Sequence, residues 1–282
     1  MKKVLILGAQ GMLGQSLINE FSDYNVVGFD KESLNITDNQ KVEEIFDKEQ
    51  PDIIINAAAY TDVDEAEANE ELVMKVNGEA VGLLASAANS IGAFFIHIST
   101  DYVFDGENED GYNENTLPIP PESIYAKSKL EGERLLQEQG KAGLDYYLVR
   151  TSWLFGSGGK NFVDTMLNLA ENNNELKIVN DQHGKPTYVK DLVGEIKNLI
   201  EEKWKSGIYH ITNEPAMTWY DFAKIIFEIK KDCDSTYIVP KLTPVSSEEF
   251  PRPAKRPHWS VLNNTKLEKG RNIKEALKEY LC

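Results

Sequence analysis

Short, unbroken apolar runs recur through the first half of the chain, and each leads into a longer stretch with helical spacing. Val4 to Leu7, Asn25 to Phe29, Asp52 to Asn56, Phe94 to Ile98 and Tyr146 to Val149 read as strands buried on both faces, the pattern of a parallel sheet. Helical patterns run on through Glu20, over Asp38 to Glu49 (closed by Pro51) and over roughly Glu70 to Ser90. The alternation predicts an α/β fold, a doubly wound parallel sheet with helices on both faces. Past Val149 the rhythm breaks. Helices are expected over Phe162–Asn172, Asp191–Lys203, Thr218–Ile229 and Ile273–Leu281, with short strands near Lys177–Val179 and Tyr209–Ile211. This predicts a smaller C-terminal α/β lobe.

The first strand turns into Gly8-Ala9-Gln10-Gly11-Met12-Leu13-Gly14 before the first helix. A glycine-rich turn there lets the backbone approach a pyrophosphate and aims a helix N-terminus at it. The fold is thus expected to be of the Rossmann type. Its dinucleotide-binding domain covers 1–150, with part of 180–205 as a candidate addition, and 151–282 form mainly a substrate-binding lobe. Asp30 ends the second strand at the distance of the acidic residue that accepts a hydrogen bond from the adenosine ribose. A carboxylate there favours NADH over NADPH, while Lys31 beside it pulls the other way, so both cofactors stay open. Asn35 and Ile36 fall where adenine is expected. Ala58, Ala59 and Tyr60 follow the third strand, where small residues leave room for a ligand or allow tight packing.

Tyr125 and Lys129 form a Tyr-x-x-x-Lys pair on a helical pattern continuing through Arg134. Residues four apart share a helix face, so the ammonium is expected beside the phenol. A fixed cation favours the phenolate and lowers its pKa, which suits Tyr125 to proton transfer with a carbonyl. Thr100, at the end of the fourth strand, is expected over the same crevice. His97, inside that strand, reads as a packed core histidine. Asp105 to Pro121 reads as a polar, proline-rich loop over the substrate. Asp62, Asp64, Glu65 and Glu67 lack the spacing of a cation site and read as a solvated helix start. The basic island from Phe250 to Pro257 either turns Arg256 toward a diphosphate or is a surface loop.

The chain has 282 residues and a formal net charge of -16, against the basic face that nucleic acid demands. Cys233 and Cys282 suggest neither a metal site nor a disulfide. No stretch approaches transmembrane length, and the expected location is cytoplasmic.

Gly8, Gly11, Gly14, Thr100, Tyr125 and Lys129 together resemble the extended short-chain dehydrogenase/reductase superfamily. Six further stretches narrow the resemblance to the dTDP-4-dehydrorhamnose reductase family: Asn56–Glu67, Ser99–Gly106, Arg150–Gly156, Asn161–Val163, Asp181–Thr187 and Arg256–Leu262. The resemblance implies NADH- or NADPH-dependent reduction of the 4-keto group of a dTDP-linked 6-deoxyhexose, giving dTDP-L-rhamnose. It makes Tyr125 the proton donor, Lys129 its partner and a grip on the nicotinamide ribose, and Thr100 the group that polarises the carbonyl. Asp101 and Trp153 line the sugar site, Gly11, Met12 and Leu13 meet the pyrophosphate, and Ala58 to Tyr60 meet the inner ribose. Asn35 departs from the usual Asp, and Gln10, Met12 and Ala126 also differ from the commoner residues. A magnesium-bridged dimer occurs in some members, but no motif transfers its ligands, so monomer and homodimer both stay open. Two rivals remain: a sister ketoreductase such as a dihydrostreptose synthase, and a non-catalytic dinucleotide-binding regulatory subunit.

Overall fold

The computed structural model describes residues 1–119 and 122–282. The first half runs β1 (Lys3–Leu7), α1 (Met12–Glu20), β2 (Asn25–Phe29), α2 (Asn39–Glu49), β3 (Ile53–Asn56), α3 (Val63–Ala66), α4 (Glu70–Met74), α5 (Ala80–Ile91), β4 (Phe94–Thr100), α6 (Ile124–Lys141) and β5 (Tyr146–Thr151). The second half adds β6 (Leu154–Phe155), α7 (Phe162–Asn172), β7 (Glu175–Val179), β8 (His183–Gly184), β9 (Thr187–Tyr188), α8 (Val189–Glu201), β10 (Gly207–His210), β11 (Met217–Thr218), α9 (Trp219–Cys233), β12 (Lys241–Val245) and α10 (Ile273–Leu281).

The central sheet has the order β10-β5-β4-β3-β1-β2, with every pairing parallel. The chain leaves β1 for β2 on one side and crosses back to β3 on the other. Ligands of such sheets bind at the carboxyl ends of the strands where the order reverses. Alternate residues of each strand face opposite sides. Leu5, Leu7, Ile54, Phe95 and Leu148 pack with Val42 and Phe46 of α2, Leu84 and Ala88 of α5 and Leu136 of α6. Val4, Ile6, Ile55, Ile96 and Val149 pack on the other face with Leu17 of α1 and Leu192 and Ile196 of α8. The apolar runs therefore fill two cores, one on each face.

Three expectations change. The helix expected over Glu70 to Ser90 is interrupted by a π turn at Lys75–Glu79 between α4 and α5. One extra residue per turn leaves little trace in apolar spacing, and such turns gather at functional sites. This one aims Asn77 at the loop after β3. The strand expected at Tyr209–Ile211 is β10, which lies in the central sheet beside β5; period alone cannot tell which sheet a short strand joins. Beneath it, Lys197 of α8 donates to Glu20 O at 3.0 Å and pairs with Asp23 at 2.8 Å, clamping α8 to the end of α1.

Thirdly, Cys233 and Cys282 are joined as a disulfide between the ends of α9 and α10, with Cα atoms 5.5 Å apart across a sequence separation of 49. The packing of those helices, not any cysteine spacing, brings the sulfurs together. The rest of the C-terminal half carries three small two-stranded sheets, β11-β8, β12-β7 and β6-β9. The loop expected over Asp105 to Pro121 is described as far as Ile119; Pro120 and Pro121 lie outside the described residues. Its anchor is Tyr112, stacked on Phe104 at 4.2 Å and accepting from the amides of Gly106, Glu107 and Asn108. Among the described residues no helix is long and apolar enough to cross a membrane.

Candidate active site

The cleft begins at the β1–α1 turn. Gly8 has φ +80°, and a Cβ there would stand 2.8 Å from Ala58 N. A Cβ on Gly14 would come within 2.1 Å of Gly8 O. Only glycine lets this turn close on itself and on the loop after β3. Gly11 is the N-cap of α1 and brings no side-chain cap, so the first-turn amides around Met12 and Leu13 remain for an anion.

Asp30 stands half-buried at the end of β2. Its Oδ1 accepts from Ser33 N, Glu32 N and Ser33 Oγ, which hold the carboxyl below its ordinary value, and its Oδ2 accepts from Gln10 Nε2 at 2.5 Å. Asn35 is exposed and accepts from Thr37 N and Oγ1, while Ile36 is buried. Ala58, Ala59 and Tyr60 line the half-buried exit of β3. Asn77 fixes that exit by accepting from Tyr60 N at 2.8 Å and donating to Tyr60 O at 3.0 Å. Open amides, missing side chains and a carboxylate at the far end fit a dinucleotide.

At the other end of the cleft, Ser123 caps α6 by accepting from Ala126 N, and so places Tyr125 in the first turn. The Tyr125 side chain is half-buried, with the Thr100 hydroxyl nearby and the Tyr102 ring edge-on at 5.9 Å. Thr100 in turn donates to Asp101 Oδ1 at 2.9 Å. A cavity of about 220 Å³ opens beside them, lined by Tyr102, Phe104, Ser123, Ala126, Arg256 and Pro257 among others.

The expected pairing of Lys129 with Tyr125 is corrected here. Lys129 is only 2% exposed, and its Nζ turns inward, donating to Ile98 O at 2.7 Å with His97 Nε2 at 3.3 Å. Among the described residues no hydrogen bond joins it to Tyr125. The phenol consequently does not move down. Desolvation pushes it up to about 12, against the opposing influence of the nearby Thr100 hydroxyl. Desolvation also pushes Lys129 down to about 8, against the attraction of Glu133.

The substrate-side residues are held by unexpected partners. Asp101 is 2% exposed, desolvation raises its carboxyl to about 6, and its Oδ2 has no hydrogen-bond partner among the described residues. Trp153 adopts φ +47° just past β5. Its indole stacks on Trp219 at 3.5 Å, and a Cβ on Gly184 would meet it at 2.5 Å. Arg256 pairs with Asp64 at 2.8 Å and Lys255 with Glu122 at 2.9 Å, so the basic island is answered by the protein's own carboxylates. Asp64 thus does more than open a helix. Among the described residues no group of three His, Cys, Asp or Glu is placed to hold a metal ion.

Comparison with known proteins places this geometry. The family described as the RmlD substrate binding domain matches residues 1–281. The chain belongs to that family. Within the RmlD family, the dTDP-4-dehydrorhamnose reductase of Aggregatibacter actinomycetemcomitans is 42% identical, with 98% of this chain and 95% of the relative covered. The spore coat polysaccharide biosynthesis protein SpsK of Bacillus subtilis (strain 168) is 40% identical over 100% of this chain and 97% of its own. The crystal structure of dTDP-4-dehydrorhamnose reductase from Bacillus anthracis in complex with NADP superposes with a TM-score of 0.92 at 37% identity, covering 99% of this chain and 98% of that one.

Sequence reasoning missed what lies behind Tyr125. Glu133 of α6 and Arg150 of β5 are fully buried and joined by hydrogen bonds of 2.6 and 2.9 Å. Ser99 donates to Glu133 at 2.6 Å, and Arg150 lies over the Phe104 ring. The only trace of this in the chain is Glu133 four residues after Lys129, with an Arg inside an apolar strand. Trp219 and Asp64 gave no signal, since nothing local marks a partner so distant in sequence.

Proposed function

We propose that the protein reduces the 4-keto group of a dTDP-linked 6-deoxyhexose to a secondary alcohol, giving dTDP-L-rhamnose. The observation that carries this reading is the meeting of Thr100, Asp101 and Tyr125 at the carboxyl edge of the sheet, opposite a dinucleotide cradle, in a chain of the RmlD family. The NADP bound by a 37% identical relative supports a nicotinamide cofactor. When bound, NADH or NADPH supplies the hydride that becomes the new C–H bond at the carbonyl carbon.

The chain's own groups do the rest. The phenol of Tyr125 gives its proton to the carbonyl oxygen, which ends as the hydroxyl, and the phenolate is reprotonated from solvent. Its high pKa suits this direction, because the donor must still carry its proton at neutral pH. The Thr100 hydroxyl stabilises the phenolate as the proton leaves and is placed to polarise the carbonyl. Trp153, fixed by Trp219, forms a rigid wall for the sugar ring. Diphosphate and base, far from the ketone, contribute binding that orients it. The reading places the enzyme in the cytoplasm, beside supplies of reduced dinucleotide and nucleotide sugar.

The test is absorbance of the reduced nicotinamide on adding keto-sugar nucleotides to the pure protein. Loss with the dTDP-linked 4-keto-6-deoxyhexose is expected. A faster loss with another keto-sugar would assign the sister activity, and no loss with any would assign a binding subunit.

A further inference from the structure

The interior side of Lys129 carries a chain of polar groups that the reaction above does not use. Asn56, at the end of β3, is fully buried. Its Oδ1 accepts from the backbone amide of Ala58 at 3.1 Å, which leaves its Nδ2 facing His97 Nδ1 at 3.2 Å. Turning the amide over would set Nδ2 against the Ala58 N–H, donor against donor, so the backbone fixes its orientation. A donor at Nδ1 makes that nitrogen the acceptor. A neutral imidazole has a single N–H, which then sits on Nε2. His97 is fully buried, and burial together with the nearby Lys129 holds its pKa well below the ordinary value, so it is neutral. Its Nε2 lies 3.3 Å from Lys129 Nζ.

An ammonium at Lys129 would therefore meet an N–H. A neutral amine instead accepts from Nε2–H with its lone pair while donating to Ile98 O at 2.7 Å. We propose that His97 is a positioning residue: locked by Asn56 as the Nε2–H tautomer, it faces Lys129 Nζ with an N–H and so disfavours the ammonium relative to the amine in the ligand-free protein. That Lys129 belongs to the active site rests on the function proposed above, but the tautomer lock does not. The charged group that acts on the amine is Glu133 on its own helix. That carboxylate is paired with Arg150 on β5, which offsets part of its attraction for an ammonium. Desolvation of Lys129 down to about 8 agrees with the geometry.

The experiment reads the two nitrogens directly, on the full-length protein without ligands. Side-chain 15N shifts of His97, assigned with His97→Gln, report which ring nitrogen carries the proton. The 13Cε shift of Lys129 against pH reports its titration. The expected result is a proton on Nε2 and a Lys129 midpoint near 8. Asn56→Asp offers a carboxylate that keeps the Ala58 hydrogen bond and accepts from Nδ1–H. It should move the ring proton to Nδ1 and carry Lys129 up toward the ordinary lysine value of about 10.4. A wild-type proton on Nδ1, or a Lys129 midpoint near that ordinary value, overturns the proposal. If Asn56→Asp does not fold, the wild-type pair of readings decides alone. Failure to reduce any keto-sugar would sink the active-site reading while leaving both nitrogen readings in force.

Discussion

Around Gly8 the protein makes room by leaving side chains out, whereas behind Tyr125 it fills space with ionisable ones. The cradle is backbone: Gly8 and Gly14 touch carbonyls and amides where any Cβ would collide, and α1 presents uncapped amides. The catalytic bed is side chain: buried Asn56, His97 and Lys129 are linked across β3, β4 and α6, and buried Glu133 and Arg150 are paired across α6 and β5. A backbone cradle suits a ligand bound and released each cycle. A buried polar bed suits groups that must not shift while a proton moves.

The largest effect that would break this contrast is expected in the bed. Arg150→Met leaves Glu133 buried without its partner and should cost roughly 3–5 kcal/mol, read as a thermal midpoint lowered by about 10 °C. Adding Glu133→Leu should return much of that loss. If Arg150→Met melts like the wild type, the pair is not structural. Gly14→Ala should act in the cradle, costing about 3 kcal/mol by overpacking against Gly8 O and weakening reduced-dinucleotide binding more than tenfold by fluorescence titration. Unchanged binding would mean that the turn is looser than the structure shows.

The smallest effect concerns Asp101, whose folded pKa of about 6 stands above the unfolded value of 3.8. A raised carboxyl pKa contributes stability at acidic pH that fades as pH climbs through the folded value. Between about pH 4 and pH 7 the wild type should lose roughly 2 kcal/mol that Asp101→Asn does not. Parallel stability-versus-pH curves for the two proteins would contradict this.

The same contrast explains what the sequence disclosed. Glycine spacing is visible because the cradle needs a missing atom at fixed intervals, and the apolar runs gave the sheet because burial on both faces demands them. Tyr125 and Lys129 could be paired by helical spacing. The direction in which Lys129 points was not legible, because it depends on His97 and Ile98 in another strand. For Glu133 and Arg150, 17 residues apart, charge in an apolar setting was the only hint. Asp64 with Arg256 and Trp153 with Trp219 join distant segments, and no local pattern encodes such meetings.

The central claim is that the Tyr125 phenol delivers the proton to the sugar ketone. It is tested most directly by single-turnover reduction with Tyr125→Phe at saturating reduced dinucleotide and keto-sugar. The expected result is a rate lower by about a thousandfold, with dinucleotide affinity and thermal midpoint unchanged. A rate within tenfold of the wild type would assign the proton to another group.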